Sequence, residues 1–139
     1  RRQRQMCIRD RRIKNVRTVN DWLTRDEAVV DEYNAGKLTT FLFTVNGYRG
    51  LMNMILYVRK PRNIERIPKN LPMLMISGLD DPVGEYGKGV YRAYNSYHGH
   101  IDDIDLRLYE DCRHELCNEL NKEEIYEEIY GWIMNHMSK

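Results

Sequence analysis

Two short apolar runs of strand character, residues 72–77 and 104–109, lie on either side of a stretch with helical periodicity, and this order constrains the chain most. The first run is closed by Gly78 and Pro82; the second alternates apolar and polar from Ile104 to Tyr109. Between them, residues 86–97 place Val90, Tyr91 and Tyr94 on one helical face, expected to be buried, and Gly99 ends the helix. A final helix follows Asn121, with Glu124 completing a capping box and Ile125, Ile129, Ile133 and Met137 forming a stripe. Strand, helix, strand, helix predicts an α/β unit whose two strands are parallel. A right-handed crossover brings the C-terminal ends of both strands to one edge of the sheet, where open α/β sheets bind ligands. Asp81 lies just past the first strand and His114 just past the second, 33 positions later. An Asp that accepts the Nδ1 proton of a His fixes the tautomer and stabilises the imidazolium, which is the acid and base part of a hydrolytic triad.

The upstream half is helical in character. Thr24 with Glu27 forms a capping box, Ala28, Val29 and Tyr33 follow as an apolar face, and Gly36 ends the helix. A second amphipathic helix is predicted over residues 46–57, with Leu51, Met52, Ile55 and Leu56 on one face, and a polar turn over residues 62–65. Phe41, Phe43, Met52 and Met54 suit a lid or acyl-binding wall, and equally an ordinary helix core, because Met fills irregular gaps in either.

Charge is unevenly spread. The 139 residues carry a formal net charge of +1, but residues 1–17 hold eight bases and one acid, leaving 14 bases and 20 acids for the remainder. The opening segment reads as a basic disordered tail or, since residues 4–11 resemble translated adapter sequence, as non-native. Its alternative use as an arm for nucleic acid or a membrane surface would make the chain a binding module, but the segment lacks aromatics for base stacking, and no nucleic-acid partner is expected. No apolar run approaches the roughly 18 residues of a membrane span, and no apolar stretch follows the basic start as in a signal peptide. Cys7, Cys112 and Cys117 make no paired framework, which points to a reducing compartment, the cytoplasm.

The loops resemble a known family. Residues 74–84, Leu-Met-Ile-Ser-Gly-Leu-Asp-Asp-Pro-Val-Gly, are similar to the acid loop of α/β-hydrolases, in the monoacylglycerol lipase and lysophospholipase branch also grouped as serine aminopeptidase-like. Gly78 with Asp81 three positions on matches that family's acid placement. Residues 109–115, Tyr-Glu-Asp-Cys-Arg-His-Glu, resemble its histidine loop, and residues 20–27 and 43–48 its cap region. The resemblance implies a partial α/β-hydrolase fold with the last two parallel strands, divided into a tail over 1–17, a helical cap over 18–70 and a core segment over 71–139. It implies a Ser-His-Asp hydrolase cleaving acylglycerol or lysophospholipid esters, with Asp81 and His114 catalytic and Phe43, Met52, Ile55 and Val83 in contact with substrate. Such chemistry needs no metal or organic cofactor. The family's nucleophile sits in Gly-x-Ser-x-Gly and precedes the acid and the His in the chain. Ser77, Ser96 and Ser138 lie in no such motif, so the serine is expected upstream, on a missing N-terminal half, and the chain alone is expected to be inactive. A peptidase or amidase of the same fold is the alternative.

Other roles exist for the same residues. Asp81 before Pro82 suits a plain turn. Asp80 is given a turn or solvent role, and Glu115 a surface one. His98, His100, Asp102 and Asp103, or Cys112, His114 and Cys117, offer metal ligands, but their spacing matches no standard zinc motif. The first set precedes the second strand and His114 follows it, roughly 20 Å away along six extended residues.

Overall fold

A computed structural model describes residues 13–39 and 41–137. The elements run α1 (Glu27–Ala35), α2 (Val45–Val58), α3 (Pro61–Ile64), β1 (Met73–Gly78), α4 (Lys88–His98), β2 (Ile104–Tyr109), a 3-10 turn (Leu116–Asn118) and α5 (Lys122–Met137). β1 and β2 pair in parallel, from Met73 opposite Ile104 to Gly78 opposite Tyr109. The strands therefore end side by side, and the loops that leave them emerge at one edge. Cys7 and most of the basic segment lie outside the described residues. Arg17, the last base of that segment, folds onto α1 through ion pairs with Glu27 (3.0 Å) and Asp31 (2.6 Å).

Strand alternation decides what each face meets. On β2, Asp105, Arg107 and Tyr109 face α5. Trp132 Nε1 donates to Asp105 (2.7 Å), while Arg107 (3.3 Å) and the Tyr109 hydroxyl (2.9 Å) both donate to Glu128. Burial and the bond to Glu128 push the Tyr109 pKa up to about 12, so the hydroxyl keeps its proton. Beneath these polar contacts, Cys112, Leu116 and the fully buried Ile125 form a core, with Ile76, Tyr109 and Ile129 packed against it. Ile133 and Met137, further along the same stripe, are exposed, because a sheet of two strands offers α5 nothing more to cover.

Several expectations are corrected. β1 starts at Met73, whose amide donates to Asp103 O (2.9 Å); Pro72 has no amide to give. β1 is only half-buried until Ser77 and Gly78, and α4 buries none of its residues, with Tyr91 well exposed. Parallel sheets normally bury both faces, and two strands cannot. α4 begins at Lys88, because Glu85, Tyr86 and Gly87 take left-handed φ of 53°, 55° and 83°. Residues 62–65 lie largely in α3 and bury Ile64. The cap of α1 is Asp26, whose Oδ1 accepts from the amides of Ala28 and Val29 (3.0 and 3.5 Å). Thr24 lies two residues ahead of that cap: its hydroxyl donates to Asn118 O (2.7 Å) and accepts from Asp26 N (3.1 Å), not from an amide of the helix. α2 forms as expected and is capped by Thr44, but none of its residues is buried. No helix among the described residues is long and apolar enough to cross a membrane.

Gly78 governs the spacing of the two loops. A Cβ there would fall inside the backbone carbonyls of Cys112 and Arg113, so the histidine loop can lie across the end of β1 only if residue 78 has no side chain. The crossing is closed by hydrogen bonds from the Leu79 amide to Tyr109 O (2.8 Å) and from the Asp80 amide to Cys112 O (2.9 Å). Gly78→Ala is therefore expected to cost about 3 kcal/mol, seen as a lower midpoint of urea unfolding. Gly50→Ala, in open space on α2, leaves that midpoint unchanged or raises it. Ile125→Ala, by emptying the centre of the core, should cost a similar ~3 kcal/mol and lower the midpoint likewise.

Candidate active site

The two loops bring Asp81 and His114 together. His114 Nδ1 and Asp81 Oδ2 are 3.1 Å apart. An ionised carboxylate only accepts, so the proton of this bond belongs to Nδ1. Asp81 is 6% exposed and oriented from both sides: its Oδ1 accepts from Val83 N (2.8 Å), its amide donates to Gly78 O (3.3 Å), and its carbonyl accepts from Tyr86 N (2.8 Å). The turn before Pro82 and the contact with His114 thus use different oxygens of one carboxylate. The His114 side chain is more open, 38% exposed, with the Trp22 ring 5.1 Å from its own.

The histidine loop is not part of any regular element, and its position comes from hydrogen bonds to residues 21–25 and 119. Asp111 turns the chain with φ 55°, a conformation Asp tolerates better than most residues. Arg113 N then donates to Glu119 Oε1 (2.7 Å), His114 N to Trp22 O (3.4 Å) and Glu115 N to Leu23 O (2.7 Å). The Arg113 guanidinium reaches back to the carbonyls of Asp21 (2.6 Å) and Thr24 (3.0 Å). Glu119 is fully buried, and its Oε2 accepts from Arg25 Nε (2.8 Å) and Arg25 N (3.3 Å). Burial opposes the charge of Arg25, but the bond and attraction of Glu119 outweigh it and raise its pKa. Burial, reinforced by Glu119, pushes the Cys112 thiol up, so it stays protonated beneath the loop. Sequence reasoning missed Trp22, Arg25, Arg113 and Glu119, since Arg25 and Glu119 are 94 positions apart and neither sits in a motif.

The remaining candidates are dispersed. Phe43, Met52, Ile55 and Val83 are exposed, the first three on or beside α2, where the Phe43 ring meets those of Phe41 and Tyr48. Asp80 is exposed and, with Lys14, Tyr86, Asp111 and Arg113, lines a cavity of about 290 Å³. His100 Nε2 meets Ile67 O (2.7 Å), and Asp103 pairs with His136 (3.2 Å). Among the described residues no group of three or more His, Cys, Asp or Glu is placed to hold a metal ion. Ser77 is buried in β1 and donates to Gly78 O, and Ser96 donates to Ala93 O on α4.

Residues 3–121 match the family described as serine aminopeptidase, S33, a span that takes in most of the basic segment. A highly thermostable carboxyl esterase from Bacillus coagulans, solved in complex with glycerol, superposes with a TM-score of 0.75 at 25% identity, covering 93% of this chain and 41% of the esterase. A lipase in its open form superposes with the same TM-score at 22% identity, over 88% of this chain and 40% of its own, a likeness of fold alone. No curated protein matches. The chain thus spans about two fifths of the solved proteins it resembles. With its parallel pair of strands, its crossover helix and its acid and histidine loops at one edge, the chain belongs to the serine aminopeptidase (S33) family of α/β-hydrolases and carries part of that fold.

Proposed function

We propose that this chain is the acid- and base-bearing part of a serine hydrolase that cleaves carboxylic esters, with the nucleophile on a preceding segment. The observation that carries the reading is the 3.1 Å contact between a buried carboxylate and Nδ1 of a half-exposed imidazole. With Nδ1 protonated, Nε2 is the basic nitrogen. It takes the proton of the serine hydroxyl as the serine attacks the ester carbonyl and returns it to the leaving alcohol. Asp81 remains ionised throughout and stabilises the imidazolium. The serine and the amide that follows it, part of the oxyanion hole, come from the Gly-x-Ser-x-Gly turn. No metal or organic cofactor takes part.

Phe43, Met52 and Ile55 present an exposed apolar surface on and beside α2 that suits the acyl chain of an acylglycerol or lysophospholipid, and Val83 lies beside the acid loop. The esterase likeness favours ester over amide. The family's description as an aminopeptidase favours the alternative, a peptidase or amidase using the same dyad.

The test joins the upstream coding sequence to this chain and measures hydrolysis of p-nitrophenyl esters and of aminoacyl anilides. The 139-residue chain alone should show no turnover. The extended protein should cleave the esters, and Asp81→Asn should lower its kcat by about 10⁴-fold with little change in KM. An extended protein that loses nothing on Asp81→Asn, or an isolated chain with full activity, contradicts the proposal; turnover of anilides alone favours the peptidase.

A further inference from the structure

Glu119 is the most deeply buried charge in the described part of the chain, 0% exposed, and no step of the proposed chemistry uses it. An ionised carboxylate withdrawn from water is tolerated only when paired and fully hydrogen-bonded. Glu119 meets that demand by joining two segments. One oxygen holds the Arg113 amide, next to His114; the other holds the side chain and amide of Arg25. Arg25 uses its remaining reach on Asn121 Oδ1 (2.6 Å), at the head of α5. Arg25 also immediately precedes Asp26, the cap of α1, the helix that leads toward the exposed helix α2.

From this connection we infer that Glu119 and Arg25 are positioning residues for the His114–Asp81 pair, clamping the stem of the cap against the histidine loop. The inference rests on the reading of His114 as the triad histidine. Asp81 can orient the imidazole only if the loop delivers it, and the loop has no regular structure to do so. Three successive amides, of residues 113, 114 and 115, are held by Glu119, Trp22 and Leu23. The segment that carries the Trp22 and Leu23 carbonyls is held by Arg25 on Glu119, together with Arg113 on the Asp21 and Thr24 carbonyls and the Thr24 hydroxyl on Asn118 O. Freeing the carboxylate from either side lets the stem and the loop part, and the imidazole then leaves Asp81 without any change at Asp81 itself.

The test is NMR on the 139-residue chain, reading the downfield Nδ1 proton of His114 and the exchange rate of the Arg113 amide. The Trp132 indole proton, donated from α5 to Asp105 of β2, reports the fold. Glu119→Gln removes the charge at nearly constant shape, and Arg25→Lys keeps a charge while losing the forked donor. Both should broaden or abolish the His114 proton and speed Arg113 exchange about tenfold, with the Trp132 signal in place. Asp81→Asn should abolish the His114 proton and leave Arg113 exchange unchanged. A His114 proton unaffected by both Glu119→Gln and Arg25→Lys overturns the positioning role while leaving the dyad intact. Its absence from the unsubstituted chain overturns the dyad and this inference with it. If Glu119→Gln also displaces the Trp132 signal, Arg25→Lys decides the matter alone.

Discussion

Parallel pairing of two six-residue strands, in register from first residue to last, is the constraint on which the site depends. The pairing brings the ends of β1 and β2 together, and the missing side chain at Gly78 lets the loop after β2 lie across the end of β1. A register slip of one residue would reverse which strand side chains face α5 and separate the loops. The meeting of Asp81 and His114 is thus a consequence of backbone geometry first and of side-chain chemistry second.

Around that frame, polar groups do what apolar burial cannot. The sheet is too narrow to bury α4 or to cover the length of α5, and the apolar cluster under the histidine loop is small, with Leu23, Val30, Ile64 and Ile101 buried outside it. The loop is held by charged and backbone hydrogen bonds instead, converging on Glu119, Arg25 and Arg113. The same limits leave the apolar residues of α2 exposed.

Local patterns made part of this visible in the sequence. The bounds of β2 follow from its alternation, and α2 from its amphipathic period. Asp81 and His114 stand out because each follows a strand end, and topology alone then places both at one edge. What local pattern cannot supply is competition between distant partners. Thr24 has the spacing of a capping residue, yet its side chain is turned to Asn118 O, 94 positions away, and to the Asp26 amide, while the Asp26 carboxylate takes the helix amides. The Arg25 and Glu119 pair was illegible for the same reason: isolated charges of ordinary type become a buried ion pair only once the chain has folded. Tyr91 and Ile133 misled in another way, since a helical stripe reports which face would be buried, not whether there is sheet enough to bury it.

In the proposed mechanism Asp81 holds His114 as the Nδ1-protonated tautomer, leaving Nε2 as the base. Nitrogen-15 spectra of His114, recorded at about pH 8 or above where an ordinary imidazole is neutral, report the tautomer directly. Nδ1 should be protonated and Nε2 unprotonated, reverting on Asp81→Asn toward the Nε2-protonated form that free imidazole side chains favour. An unsubstituted chain with its proton on Nε2 would contradict this mechanism, since that nitrogen could not then accept a proton from a serine.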